Sequence, residues 1–197
     1  PRAAVRISVT RGTGERGYAP PAAPVPCWIV GAGAAPAVAP DWYARGIRVR
    51  CCRLRLAAQP VLAGIKHLNR LENVLARAEW NDEAVAEGLL GDRDGHVIGA
   101  TAANLFAVCG GRLRTPAVDE CGVAGVARAE VLARRDVAVG RLTWEELMRA
   151  DEVFLTSSLR GILPVAAIDA TPFAPGPVAR ELQMQWRAAG LMDALHG

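Results

Sequence analysis

One lysine, Lys66, stands among 22 arginines in these 197 residues. It sits in Ala63-Gly64-Ile65-Lys66-His67-Leu68-Asn69, after a glycine turn and among apolar neighbours. Burial in such a setting disfavours the ammonium, lowers the pKa and leaves a nucleophilic amine suited to a Schiff base. The plainer reading is a surface lysine in an arginine-biased chain, and spacing alone favours that one. Gly125-Val126-Ala127-Arg128 opens a helical stretch, where unpaired backbone N–H groups make an anion site that glycine lets a phosphate approach. Many helices begin this way and bind nothing. Thr156-Ser157-Ser158 puts hydroxyls at the end of an apolar strand, as a phosphate contact or an ordinary turn. Arg16 lies in a glycine-rich loop, from which a guanidinium can grip a carboxylate through two parallel hydrogen bonds.

Other chemistries find little support. His67, His96 and His196 lack metal-ligand spacing, and no Ser/His/Asp arrangement or Walker A pattern is legible. The five cysteines include no C-x-x-C; Cys51 and Cys52 point to opposite faces of a strand, so reduced thiols of a cytoplasmic protein are expected. A net charge of +3 spread along the chain predicts neither nucleic-acid nor membrane binding. The longest uncharged stretch, residues 17–40, is too rich in proline to span a membrane as an isolated helix. With 51% apolar and 22% charged residues, the composition is that of a globular protein with a sizeable core. The chain begins at Pro1 and its first methionine is Met148, so a segment is expected to precede it.

The elements that must carry these groups alternate in type. Strands are expected at 5–10, 27–30, 47–56, 88–90, 96–98, 105–108, 112–114, 153–155 and 163–168, with hairpin signals at Asp94-Gly95 and Gly110-Gly111. Helical spacing of Leu68, Leu71, Val74, Leu75 and Ala78 predicts a helix over 67–80 that starts directly after Lys66. Further helices are expected at 126–134, at 143–149 with Thr143 and Glu146 as a capping box, and at 177–195. The architecture is α+β, with helices flanking a sheet or small barrel.

Several phrases, in order, add a resemblance. Leu62-Ala63-Gly64-Ile65-Lys66-His67-Leu68-Asn69-Arg70-Leu71-Glu72-Asn73-Val74-Leu75 resembles the cofactor-lysine segment of the aminodeoxychorismate lyases. These belong to the fold-type IV, branched-chain-aminotransferase-like family of pyridoxal-phosphate enzymes, whose fold is that of D-amino-acid aminotransferase. Val9-Thr10-Arg11-Gly12 through Arg16-Gly17-Tyr18 is similar to their substrate loop. Ala103-Asn104-Leu105-Phe106, Cys121-Gly122-Val123-Ala124-Gly125-Val126 and Ala150-Asp151-Glu152-Val153-Phe154 follow in the family's order.

The resemblance implies a homodimeric enzyme of folate biosynthesis that converts 4-amino-4-deoxychorismate to 4-aminobenzoate and pyruvate. Lys66 would hold pyridoxal 5'-phosphate and move the substrate proton, Val126, Ala127 and Ser157 would bind its phosphate, and Arg16 a substrate carboxylate. No metal is implied. Residues 1–57 would be the remainder of a small N-terminal domain with its connection, and 58–197 the larger cofactor-binding domain. The alternatives are an aminotransferase of the same fold, acting on D-amino or branched-chain amino acids, and a truncated, catalytically impaired homologue. The last is motivated by Gly99, which stands where the family has a glutamate for the pyridine nitrogen, and by the absence before Pro1 of the family's first small-domain segment.

Overall fold

The computed structural model describes residues 3–192; the far end of the helix expected to reach 195, and His196, lie outside the described residues. Two compact units emerge, Pro1–Ala37 and Val38–Gly197. In the first, β1 (Ala3–Thr10) and β2 (Cys27–Ala34) pair antiparallel from Ala3↔Ala34 to Thr10↔Cys27. The intervening connection carries Arg16, fully on the surface.

The second unit runs α1 (Pro40–Arg45), β3 (Ile47–Arg55), α2 (Leu71–Arg77), β4 (Val85–Gly91), β5 (Val97–Ala100), β6 (Asn104–Cys109) and β7 (Arg112–Pro116). It continues through α3 (Val126–Arg134), β8 (Ala138–Gly140), α4 (Trp144–Met148), β9 (Glu152–Ser157), β10 (Gly161–Ile168), β11 (Thr171–Pro172) and α5 (Pro177–Ala188). Its mixed sheet has the order β5-β4-β3-β10-β9-β6-β7-β8, with β11 paired to β10. β3 lies parallel to both β4 and β10, and parallel neighbours require a crossover, which α2 supplies between β3 and β4. A boundary after residue 57 is therefore displaced: the units divide after Ala37, because β3 belongs to the interior of the large sheet.

Alternation along the strands fills both faces of this sheet. Ile47, Leu89, Leu105, Leu155 and Val165 build one core. Phe106 and Phe154 stack at 5.1 Å on the other, under Val131 of α3 and Leu182 and Trp186 of α5. Cys52, Trp80, Leu90 and Cys121 form a third cluster with α2. Cys51 packs against the first cluster and Cys52 lies in the third, as a strand requires of adjacent residues. Each large buried side chain contributes roughly 1.5–3 kcal/mol of burial free energy.

Buried polar groups fix the layers. The carboxylate of Glu152, 2% exposed, accepts hydrogen bonds from the backbone N–H of Val178 and Ala179 at the start of α5. This satisfies donors that the helix cannot pair internally and sets α5 against β9. The capping box at Thr143 and Glu146 forms as its spacing predicts.

Candidate active site

The Lys66 segment is a surface loop tied to the sheet by backbone bonds. Gly64, at φ +77°, donates to the carbonyl of Gly122 at 3.1 Å and accepts from the N–H of Ala124 at 2.9 Å. These bonds hold the lysine loop beside the strand-like segment at Val123. The Arg70 guanidinium then donates to the carbonyls of Ile65 at 2.5 Å and His67 at 3.2 Å, gripping the backbone on both sides of Lys66.

Two expectations are corrected here. The helix begins at Leu71 rather than His67, because the Ile65 and His67 carbonyls bond to the Arg70 side chain instead of to helical N–H groups. Lys66 is exposed, so burial does not tune its amine in this chain. Leu68, Leu71, Val74 and Leu75, read as an inward stripe, are 53–67% exposed; the inward side of α2 carries Ala76 instead.

Asn104, the first residue of β6, organises the anion end. Its side-chain amide donates to the carbonyl of Val123 at 2.8 Å and its oxygen accepts the N–H of Gly125 at 3.2 Å. Gly125 is the N-cap of α3. A Cβ there would collide with the Asn104 oxygen, so only glycine allows this approach. The N–H groups of Val126 and Ala127 in the first turn have no intrahelical acceptors, and the helix dipole makes them a site for a negative group.

Asn104 also pairs across the sheet with Thr156. The Thr156 hydroxyl is buried without a hydrogen-bond partner. Ser157 follows it, accepting the backbone N–H of Arg160 at 3.2 Å and keeping its own proton to donate. A continuous path of contacts thus joins the Lys66 loop, the α3 N-terminus and Ser157 through Val123, Asn104 and Thr156. Arg16 belongs to the other unit and is described there by itself.

Gly99 pairs with Leu90 in β5. A Cβ at this position would stand 3.2 Å from the Ala103 carbonyl, a contact relieved by a shift of a few tenths of an ångström. Nearby, the buried Glu87 carboxylate accepts from the Gly88 N–H and from the Thr101 hydroxyl. Thr101 in turn offers its carbonyl to the Asn73 amide of α2 at 2.9 Å. Sequence reasoning passes over Glu87, Thr101 and Arg70; a lone acid within the apolar run of β4 is the available sign.

The thiols are unreactive in this setting. Burial pushes Cys51 up to about 12 and Cys52 and Cys121 up to about 11, which leaves each protonated at neutral pH. Among the described residues, no group of three or more His, Cys, Asp or Glu side chains is placed to hold a metal. No described helix is long and apolar enough to cross a membrane.

A mixed sheet that ties a lysine loop to a helix N-terminus through one asparagine is the arrangement of a fold-type IV enzyme. Residues 1–168 match the family model for amino-transferase class IV, and the chain belongs to that family. It is 38% identical over 190 residues to an aminodeoxychorismate lyase of Vibrio harveyi, covering 92% of this chain and 70% of that protein. The crystal structure of 4-amino-4-deoxychorismate lyase from Pseudomonas aeruginosa superposes with a TM-score of 0.91 at 46% identity, over 93% of this chain and 70% of that one. A thermophile-type match is not needed to see the wider fold: a branched-chain amino acid aminotransferase solved with pyridoxamine 5'-phosphate superposes with a TM-score of 0.78 at 26% identity, over 95% of this chain and 64% of that one.

Proposed function

We propose that the chain is a pyridoxal-phosphate-dependent lyase that converts 4-amino-4-deoxychorismate to 4-aminobenzoate and pyruvate in folate biosynthesis. The observation that carries this reading is the Asn104 junction, which places the Lys66 loop and the free N–H groups of α3 on one segment, Val123 to Gly125. The 46% identity to a lyase of that name supports the choice of reaction.

The residues fit the cofactor at two points. The α3 N-terminus, the Ser157 hydroxyl and the unpartnered Thr156 hydroxyl suit a phosphate, and the Lys66 amine suits a carbonyl carbon. Bound there, pyridoxal phosphate supplies an electron sink for the negative charge that develops at the substrate carbon bearing the amine. Lys66 takes the proton from that carbon. The carbon–oxygen bond to the enolpyruvyl group then breaks, pyruvate departs, and the ring becomes aromatic, which supplies much of the driving force. Arg16 binds a substrate carboxylate. Gly99 leaves the pyridine nitrogen without the family's carboxylate, so its protonated form is less favoured and the sink is weaker.

Two further assignments accompany this reading. The outward row of Leu68, Leu71, Val74 and Leu75 favours a homodimer, because an exposed apolar row of this kind is usually covered. Five free cysteines favour a reducing cytoplasm. Membership of an aminotransferase family keeps amino-group transfer as the competing reaction. The discriminating assay supplies 4-amino-4-deoxychorismate without any keto acid. Release of pyruvate and 4-aminobenzoate in equal amounts is expected; turnover that requires a keto-acid acceptor would refute the lyase.

A further inference from the structure

Arg160 is set into the turn after β9 more firmly than a surface arginine needs to be. Its N–H donates to the Ser157 hydroxyl at 3.2 Å, and its carbonyl accepts the Tyr43 hydroxyl at 3.0 Å. Both sides of the residue are therefore pinned, one of them to the candidate phosphate-binding serine. The guanidinium Nη1 stands 3.7 Å from a carboxylate oxygen of Glu87, whose side chain is 4% exposed. The other Glu87 oxygen already serves the Gly88 N–H and the Thr101 hydroxyl.

This arrangement orients the arginine without using up its donors. At 3.7 Å the Glu87 contact is an ion pair beyond hydrogen-bond length. Among the described residues, no acceptor lies within hydrogen-bond distance of the Arg160 Nε or Nη2. Neither atom is buried, and the side chain is about one-third exposed. Glu87, Ser157 and Arg160 line one small cavity with Ala103 and Thr156, with room for about one water. A ligand therefore meets Arg160 on its solvent side. Most other arginines of the sheet differ: Arg114, Arg141, Arg70 and Arg128 each donate to a carboxylate or carbonyl of the chain. A fixed guanidinium with an open fork, beside a candidate phosphate turn, matches the geometry of a carboxylate.

We propose that Arg160 is a substrate-binding residue that receives a carboxylate of the ligand, with Glu87 and Thr101 as its positioning residues. This rests on the lyase reading, in which the substrate carries two carboxylates, one retained in 4-aminobenzoate and one leaving in pyruvate. Arg16 alone cannot pair with both through a two-bond grip, and Arg160 supplies the second.

The test measures binding of 4-aminobenzoate, pyruvate and aniline to the cofactor-loaded protein, for the wild type, Arg160→Met and Arg160→Lys. Arg160→Met is expected to weaken 4-aminobenzoate or pyruvate by at least about tenfold, to leave aniline unchanged, and to be partly rescued in Arg160→Lys. Which carboxylate weakens identifies the one that Arg160 holds. A folded Arg160→Met protein that binds both carboxylates as the wild type does would overturn the proposal. In the wild type, which carries no folding risk, 4-aminobenzoate or pyruvate should slow phenylglyoxal modification of Arg160 while aniline does not; equal rates with all three would also overturn it. Borohydride labelling of Lys66, followed in the same samples, separates the two claims. Absent labelling alongside Arg160-dependent carboxylate binding would count against the lyase reading and leave Arg160 as an anion site.

Discussion

The two ends of the candidate site are built by different means. At the phosphate end, Asn104 bonds two backbone groups at once, Gly125 admits no Cβ, and β6 and β9 hold the hydroxyl-bearing turn in register. At the ring end, Lys66 stands exposed in a loop held by backbone bonds and the Arg70 fork, and Gly99 offers no carboxylate. One end is locked by the sheet, the other by a loop whose chemistry depends on what it meets. Affinity should therefore reside at the phosphate end and rate at the ring end.

Substitutions can separate these contributions. Lys66→Ala should have the largest effect, lowering turnover by about 10³-fold or more while the fold and the anion site survive. Equal loss of phosphate binding in that variant would break the division between the two ends. Asn104→Ala comes next. It leaves the Gly125 N–H and the Val123 carbonyl unpaired, costs about 1–3 kcal/mol of stability, and should weaken cofactor binding more than it slows the bound enzyme. Thermal unfolding and cofactor titration check both.

Gly99→Glu sharpens the ring end from the other side. It restores a carboxylate for the pyridine nitrogen at the cost of a small shift of the Ala103 carbonyl, and turnover should rise, on the order of tenfold. No change would show that aromatisation alone drives the step.

The smallest effect lies outside the site. The Arg114 guanidinium beside Glu146 holds that carboxyl down at about 2, helped by the Thr143 N–H. A depressed acid contributes stability above its ordinary pKa of 4.5 and loses it as the pH falls towards about 2. Glu146→Gln keeps the capping box but removes the charge, so it should lower the melting temperature slightly at neutral pH, with the difference closing through that window.

The legibility of these elements follows how local their causes are. α3 and α4 match their expected spans because a glycine before the first turn and a Thr/Glu capping box act within four residues. The start of α2 departs from its expected place because apolar spacing cannot register a competitor for the backbone, here an arginine that takes the carbonyls around Lys66. The apolar row on that helix is real, but period alone does not say which side of a chain it faces. Lys66 is marked by its rarity and its phrase, whereas its exposure is a property of the tertiary fold. Glu87 and Arg160, 73 positions apart in the sequence and brought together by the sheet, leave no local pattern to read.

The central claim, that Lys66 carries the cofactor, is tested most directly by borohydride reduction with pyridoxal phosphate followed by peptide mapping. Lys66 is the only lysine of these 197 residues, so the predicted result is one stoichiometric label on the peptide containing Gly64-Ile65-Lys66. A label confined to the N-terminal amine, or none at saturating cofactor, would contradict it.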